Sequence, residues 1–247
     1  VEAGLRSFNR AMPEEINRLV TDSITNYFFT TTKLASTNLL NSGHSKEKIF
    51  FVGNTMIDTL LFNMDNLCPP SFWDKFKLKP RQYFVLTLHR PDNVDRASSL
   101  KKMLQVIRKH TRGLPIIFPV HPRTQKTLSK IKELSQNLYY VEPQPYLEFN
   151  YLVKHAKAVI TDSGGITEEC TVLNVPCMTL RNSTERPETV NIGSNELIGT
   201  DPEKLKPFLD RLFDSKWKVG NIPEKWDGKS GERIISILES KFSSNKK

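Results

Sequence analysis

Apolar positions along the chain recur with two alternating periods. Ile16, Leu19, Val20 and Ile24 repeat at helical spacing, because residues three and four apart share a helix face. Residues 27–29 read as a short strand, 34–40 as a helix closed by Ser42 and Gly43, 49–52 as a strand and 56–67 as a helix. Pro69 and Pro70 cannot continue that helix, so 68–82 reads as a linker. Beyond it the rhythm is regular. Strands are predicted over 83–88, 116–120, 138–141, 158–161 and 177–180. Helices are predicted over 97–109, 125–134, 146–155, 166–173, 202–213 and 232–242. Strands that alternate with helices predict a parallel sheet covered on both faces.

Composition narrows the class. The chain has 247 residues, 38% hydrophobic and 26% charged, which suits one or two globular domains and excludes collagen-like, low-complexity or wholly disordered chains. A net charge of +9 favours anionic partners. The basic residues are mostly lysines scattered along the chain, as at Lys101, Lys126 and Lys204. That charge permits nucleic acid, a membrane surface or phosphorylated metabolites, and the lack of an arginine-rich block argues against nucleic acid. Cys68, Cys170 and Cys177 form no CxxC pair, which argues against a disulfide framework or zinc knuckle. Cys170 and Cys177 read as packed core thiols, and a reducing cytoplasm is the expected location. No run of 18 apolar residues predicts membrane insertion, and no secretory signal is read at the start.

In an open parallel sheet, ligands bind beyond the carboxyl ends of the strands. His89 and Arg90 follow one predicted strand, His121-Pro122-Arg123 another, Asp162-Ser163-Gly164-Gly165 a third, and Arg181 with Thr184-Glu185-Arg186-Pro187 a fourth. Four strands thus deliver His, Arg and Ser-Gly-Gly to one rim. Ser163-Gly164-Gly165 lies between strand and helix, where glycines admit close approach and the helix N-terminus presents N–H groups to a phosphate. The same turn also reads as a simple N-cap by Asp162 or Ser163. Glu169 stands in the following helix, either as a ribose contact or as an exposed carboxylate. His89 is a candidate acid, base or anion contact. Pro13-Glu14-Glu15-Ile16-Asn17-Arg18 opens a helix in which Glu14 and Arg18, four apart, share a face.

Together these segments resemble a known family. Val-Glu-Ala-Gly-Leu-Arg-Ser (1–7), Met-Pro-Glu-Glu-Ile-Asn-Arg (12–18), Val-Gly-Asn-Thr-Met-Ile-Asp (52–58), His89-Arg90, Asp-Ser-Gly-Gly-Ile-Thr-Glu-Glu (162–169) and Thr-Glu-Arg-Pro-Glu (184–188) look like the non-hydrolysing UDP-N-acetylglucosamine 2-epimerases. The resemblance implies an α/β, GT-B type fold: two Rossmann-like doubly wound parallel-sheet domains, with the active site in the cleft between them. It implies interconversion of UDP-N-acetylglucosamine and UDP-N-acetylmannosamine, with UDP eliminated and added back, without cofactor or metal. Glu2, Glu14 and His89 match the family's catalytic residues. Arg18, Phe149, Ser163, Gly164, Gly165, Glu169 and Arg186 match its substrate and UDP contacts, and His121 a residue near its regulatory site.

Two departures accompany the match. The family usually has His-Arg-Arg-Glu-Asn, where this chain has His89-Arg90-Pro91-Asp92-Asn93. The family also has a further N-terminal stretch carrying a Gly-Thr-Arg-Pro-Glu motif and a catalytic Asp. On that reading 1–67 is the C-terminal portion of an incomplete first domain, 68–82 the linker, and 83–247 the second, UDP-binding domain with the C-terminal helices. The first sheet is then expected to leave an edge and an apolar face uncovered. The alternatives are a UDP-binding but inactive fragment, a hydrolysing epimerase, or a 6-deoxy-sugar nucleotide 2-epimerase. A GT-B glycosyltransferase is disfavoured by the Glu2 and Glu14 motifs. The expected partner is a UDP-sugar, and the intact family member is expected to be a homodimer.

Overall fold

The structure, a computed structural model, describes residues 1–131 and 137–243. In chain order the elements are α1 (Pro13–Ser23), β1 (Phe28–Thr30), α2 (Lys33–Asn41), β2 (Ile49–Phe51), α3 (Thr55–Phe62), β3 (Phe84–Thr87), α4 (Pro91–Val94), α5 (Ala97–His110), β4 (Ile116–Pro119) and α6 (Pro122–Leu128). They continue as β5 (Leu138–Val141), α7 (Tyr146–His155), β6 (Ala158–Thr161), α8 (Gly165–Val172), β7 (Cys177–Thr179), α9 (Pro187–Asn191), β8 (Asn195–Leu197), α10 (Leu205–Phe213) and α11 (Ser230–Ser243). The helix expected over 125–134 begins earlier, because His121 caps it and Pro122 opens it. Residues 132–134 of that expectation lie outside the described residues.

The chain divides into two compact units. Unit 1 comprises Val1–Asp65, Glu185–Glu188 and Ile222–Lys247, and unit 2 comprises Asn66–Thr184 and Thr189–Asn221. This differs from the expected boundaries at both ends of the second domain. The segment 68–82 is no free linker: Phe72, Trp73, Phe76 and Leu78 pack into the core of unit 2, with Trp73 edge-on to Tyr83 at 5.6 Å. The C-terminal helix belongs to unit 1, because its apolar stripe of Ile234, Ile237 and Leu238 packs on Phe29 and Val52.

Unit 2 holds a six-stranded, all-parallel sheet in the order β5-β4-β3-β6-β7-β8. Alternate side chains of each strand face opposite ways. Phe84, Leu86, Phe118 and Ile160 meet Leu100, Leu104, Leu205 and Leu209 of α5 and α10 on one face. Tyr83, Val85, Ile117 and Val159 meet Leu152, Val153 and Cys170 of α7 and α8 on the other. Cys170 and Cys177 are buried free thiols there, as expected. Tyr83 is fully buried and donates its hydroxyl to Leu152 O at 2.6 Å, and burial pushes the phenol well up.

Unit 1 holds β1 and β2, paired in parallel from Phe28↔Ile49 to Thr30↔Phe51. Trp226 is 2% exposed and its indole N–H donates to Thr31 O at 3.1 Å. Arg233 donates to Val52 O at 3.0 Å and Asp58 Oδ2 accepts from Gly231 N at 2.7 Å. Gly53 has φ 103°, and a Cβ there would lie 2.1 Å from Lys225 O. The periodicity of α1 predicted the helix but not its buried face. Ile16, Val20 and Ile24 are exposed, whereas Glu15 and Asp22 are buried. Asp22 meets the buried Arg6 in a short ion pair, and Glu15 accepts from Ser7 and Phe8. Among the described residues no helix is long and apolar enough to cross a membrane.

Candidate functional site

The strand order of unit 2 reverses direction between β3 and β6. The chain runs from β3 outward to β4 and β5, and from β6 the other way to β7 and β8. This is the topological switch point, where parallel sheets open a crevice for ligands. Thr87 and Thr161 are the last register partners of the two strands, and their hydroxyls meet at 2.6 Å. One residue further along β6 comes Asp162.

Asp162 is completely buried and gathers the loop after β3. Its carboxylate accepts from His89 N at 3.1 Å, Arg90 N at 2.9 Å and Asn93 Nδ2 at 3.0 Å. His89 Nδ1 lies 2.9 Å from Asp162 Oδ1. Burial pushes this carboxyl up, but bonds from His89, Asn93 and Arg90 and the charge of His89 outweigh it and hold it below the usual range. Asn93 also donates to Leu180 O at 3.2 Å, which ties the loop to the end of β7.

Asp162 is therefore not the N-cap of α8 that its sequence position allowed. Gly164 occupies the cap position with no side-chain capping bond, and Ser163 N donates to Thr161 Oγ1 at 2.9 Å. No capping side chain uses the donors of the first turn of α8, which leaves a helix N-terminus suited to an anion.

Glu169, one turn on, is buried rather than exposed. Asn150 donates to it at 3.4 Å, and Tyr146 also hydrogen-bonds to it. Burial pushes its carboxyl up to about 6, against the opposing bonds from Asn150 and Tyr146. Phe149, on the same helix α7, is half-buried and packs into the core of unit 2. His121 caps α6 by accepting from Arg123 N at 3.2 Å, and its ring centre lies 5.7 Å from that of His89.

Unit 1 carries the remaining candidates. Glu2 sits in a left-handed backbone conformation, φ 56°, and Arg186 Nη2 is 3.8 Å from its carboxylate. Arg186 also donates to Glu185 at 2.8 Å. Glu185 in turn lies 3.8 Å from Arg18, whose Nη1 is 3.1 Å from Glu15. The guanidinium of Arg18 thus meets Glu15, three residues back, and Glu185. Burial pushes Glu15 up, but bonds from Ser7, Phe8 and Arg18 hold its carboxyl below the usual range. Glu14 is exposed in the first turn of α1. Opposite charges thus alternate from Glu2 through Arg186, Glu185 and Arg18 to Glu15. Among the described residues no group of three or more His, Cys, Asp or Glu side chains could hold a metal ion.

The family model for UDP-N-acetylglucosamine 2-epimerase matches residues 1–239. The chain belongs to the UDP-N-acetylglucosamine 2-epimerase family. A relative of that name from Methanocaldococcus jannaschii is 44% identical over 96% of this chain and 67% of its own length. The crystal structure of the M. jannaschii enzyme in complex with UDP-GlcNAc and UDP is 44% identical, with a TM-score of 0.83 over 97% of this chain and 68% of that one. A Pseudomonas aeruginosa relative named UDP-2,3-diacetamido-2,3-dideoxy-D-glucuronate 2-epimerase is 36% identical over 81% of this chain and 56% of its own length. The chain therefore spans about two thirds of the length of its M. jannaschii relative. The expected α/β, GT-B type fold holds.

For this epimerase-family chain, sequence reasoning missed Asp162 as the partner of His89, Asn93 as its second support, and Asn150 and Tyr146 around Glu169. It also missed Glu15 and Glu185 as the acids that hold Arg18 and Arg186. One signal was within reach. His89 and Asp162 both stand just past strand ends, and pairing those two strands brings them together.

Proposed function

We propose that the chain interconverts UDP-N-acetylglucosamine and UDP-N-acetylmannosamine by inversion at C2. The observation that supports this best is the switch point of unit 2, where His89 is fixed beside an α8 N-terminus that no side chain caps. A departing diphosphate needs a preorganised positive field, and a helix N-terminus with histidine supplies one.

On this reading Ser163, Gly164 and Gly165 hold the β-phosphate, Glu169 accepts from ribose hydroxyls, and Phe149 lies toward the uracil. A base removes the C2 proton as the C1–O bond to UDP breaks, which leaves 2-acetamidoglucal and UDP. Protonation of C2 from the opposite face, with UDP adding back at C1, completes the inversion. Glu2 and Glu14 supply the acid–base carboxylates, with Arg18 and Arg186 at the sugar and His89 at the leaving group. Elimination and re-addition of UDP include no hydride transfer, so the proposed route calls for no redox cofactor. His121 is assigned to a regulatory contact, and a cytoplasmic homodimer is the form proposed for the intact protein.

Proton NMR of UDP-N-acetylglucosamine incubated with the chain tests this. The expected result is the anomeric signal of UDP-N-acetylmannosamine, reached at the same ratio from either substrate. Release of free N-acetylmannosamine with UDP, or no conversion with UDP bound, would contradict it.

A further inference from the structure

We propose that Asp162 is the positioning residue of His89, holding the neutral imidazole as the Nδ1–H tautomer and stabilising the imidazolium when Nε2 is protonated. The proposal deepens the epimerase reading above and rests on it for its effect on turnover.

The tautomer follows from donor and acceptor accounting. Asp162 takes donors from His89 N, Arg90 N and Asn93 Nδ2 while fully buried. An ionised carboxylate only accepts, so the proton between Asp162 Oδ1 and His89 Nδ1, 2.9 Å apart, belongs to the imidazole. In the neutral ring Nε2 is then the acceptor. When Nε2 takes up a proton from solvent, the adjacent carboxylate stabilises the imidazolium, which can then donate that proton to an oxygen of the departing diphosphate.

The carboxylate meets His89 N, Arg90 N, Asn93 Nδ2 and His89 Nδ1 at once, where an asparagine side chain would offer a single oxygen and an N–H₂ group facing donors. Burying that charge is costly unless it is paired and hydrogen-bonded, as it is here. What only the carboxylate offers is an acceptor for Nδ1–H together with a negative charge behind the ring.

The neighbouring histidine provides an internal contrast. His121 Nδ1 accepts from Arg123 N, so its neutral form carries the proton on Nε2. Two imidazoles with centroids 5.7 Å apart are thus set to opposite tautomers by their partners. One presents an acceptor at Nε2 and the other a donor.

Long-range proton–nitrogen NMR of the labelled chain, at a pH where the rings are neutral, reads both tautomers directly. His89 is expected as Nδ1–H and His121 as Nε2–H. In Asp162→Asn the amide donates to Nδ1, so His89 should switch to Nε2–H while His121 stays unchanged. Should Asp162→Asn fail to fold, the tautomer in the unsubstituted chain decides alone: Nδ1–H supports the assignment and Nε2–H overturns it. In turnover, Asp162→Asn should lower kcat by about 10⁴-fold with KM nearly unchanged, the scale seen when a histidine is held in the wrong tautomer. Added to His89→Ala, the same substitution should cost nothing more, and an additive loss would mark Asp162 as merely structural. The NMR result needs no substrate, so a chain without epimerase activity would overturn the functional reading and still leave the pair tested.

Discussion

Arg186 Nη2 lies 3.8 Å from Glu2 Oε2 in unit 1, and the same guanidinium donates to Glu185 at 2.8 Å. The arginine is 9% exposed and Glu185 4%. Removing Arg186 from such a buried pair leaves Glu185 with the longer contact to Arg18 and is costly. Arg186→Ala should therefore destabilise unit 1 by about 3 kcal/mol, read as a lower urea midpoint. Arg186→Lys keeps the charge but loses the fork, and should recover only part of the stability. An unchanged midpoint in Arg186→Ala would show that the alternating charges from Glu2 to Glu15 are not coupled.

Glu169 gives a pH dependence of opposite sign to the usual carboxylate. Burial raises its folded-state pKa from 4.5 to about 6. The folded chain then binds the proton more tightly than the unfolded one. The group lowers stability above about pH 6, and that cost is relieved as pH falls below 4.5. Glu169→Gln should raise stability at pH 7 by up to about 2 kcal/mol and flatten this part of the profile. It should weaken UDP binding at the same time, by calorimetry. A variant less stable at neutral pH would contradict the assignment of the cost to burial.

Much of unit 2 was legible in the sequence because its strands are continuous apolar runs flanked by helices, as at Val85-Leu86 and Val159-Ile160. The short elements escaped. α4, α9 and β8 each hold a single hydrophobic residue (Val94, Val190 and Leu197), so neither period can register, whereas the equally short β1 and β2 are apolar runs. α1 shows a subtler limit. Its apolar spacing was real, yet Arg6 with Asp22, and Ser7 and Phe8 with Glu15, fix which side turns inward. The side chains at the switch point were visible one by one. What spacing could not supply was the pairing of β3 with β6 that joins His89 to a residue 73 positions away.

The C-terminal segment is the clearest case of sequence order misplacing a structural element. Trp226 is buried and bonded to Thr31 O, 195 residues away. Trp226→Ala should cost about 3–5 kcal/mol, the range for large aromatic truncations in cores. The loss should appear in the unfolding of unit 1, while UDP affinity on unit 2 stays close to the original. A loss confined to UDP affinity would return the segment to the second domain.

Gly53 marks the close approach behind that packing. Its φ of 103° and the 2.1 Å from a built Cβ to Lys225 O leave no room for a side chain. Gly53→Ala should destabilise unit 1 by at least about 2 kcal/mol through backbone strain and displacement of the 225–233 segment. Gly43 has φ 86° but nothing within 4 Å of its Cβ position, so Gly43→Ala should cost less. Equal losses at the two glycines would remove the close approach from the explanation.

On the epimerase reading proposed above, this chain labilises the C2 proton of a UDP-sugar. Incubating the 247-residue chain with UDP-N-acetylglucosamine in D₂O and reading the recovered nucleotide sugar by mass spectrometry tests it directly. The account predicts one deuterium at C2, lost in Glu14→Gln and sharply reduced in His89→Ala. Recovery of unlabelled substrate while UDP binds to the chain would contradict it.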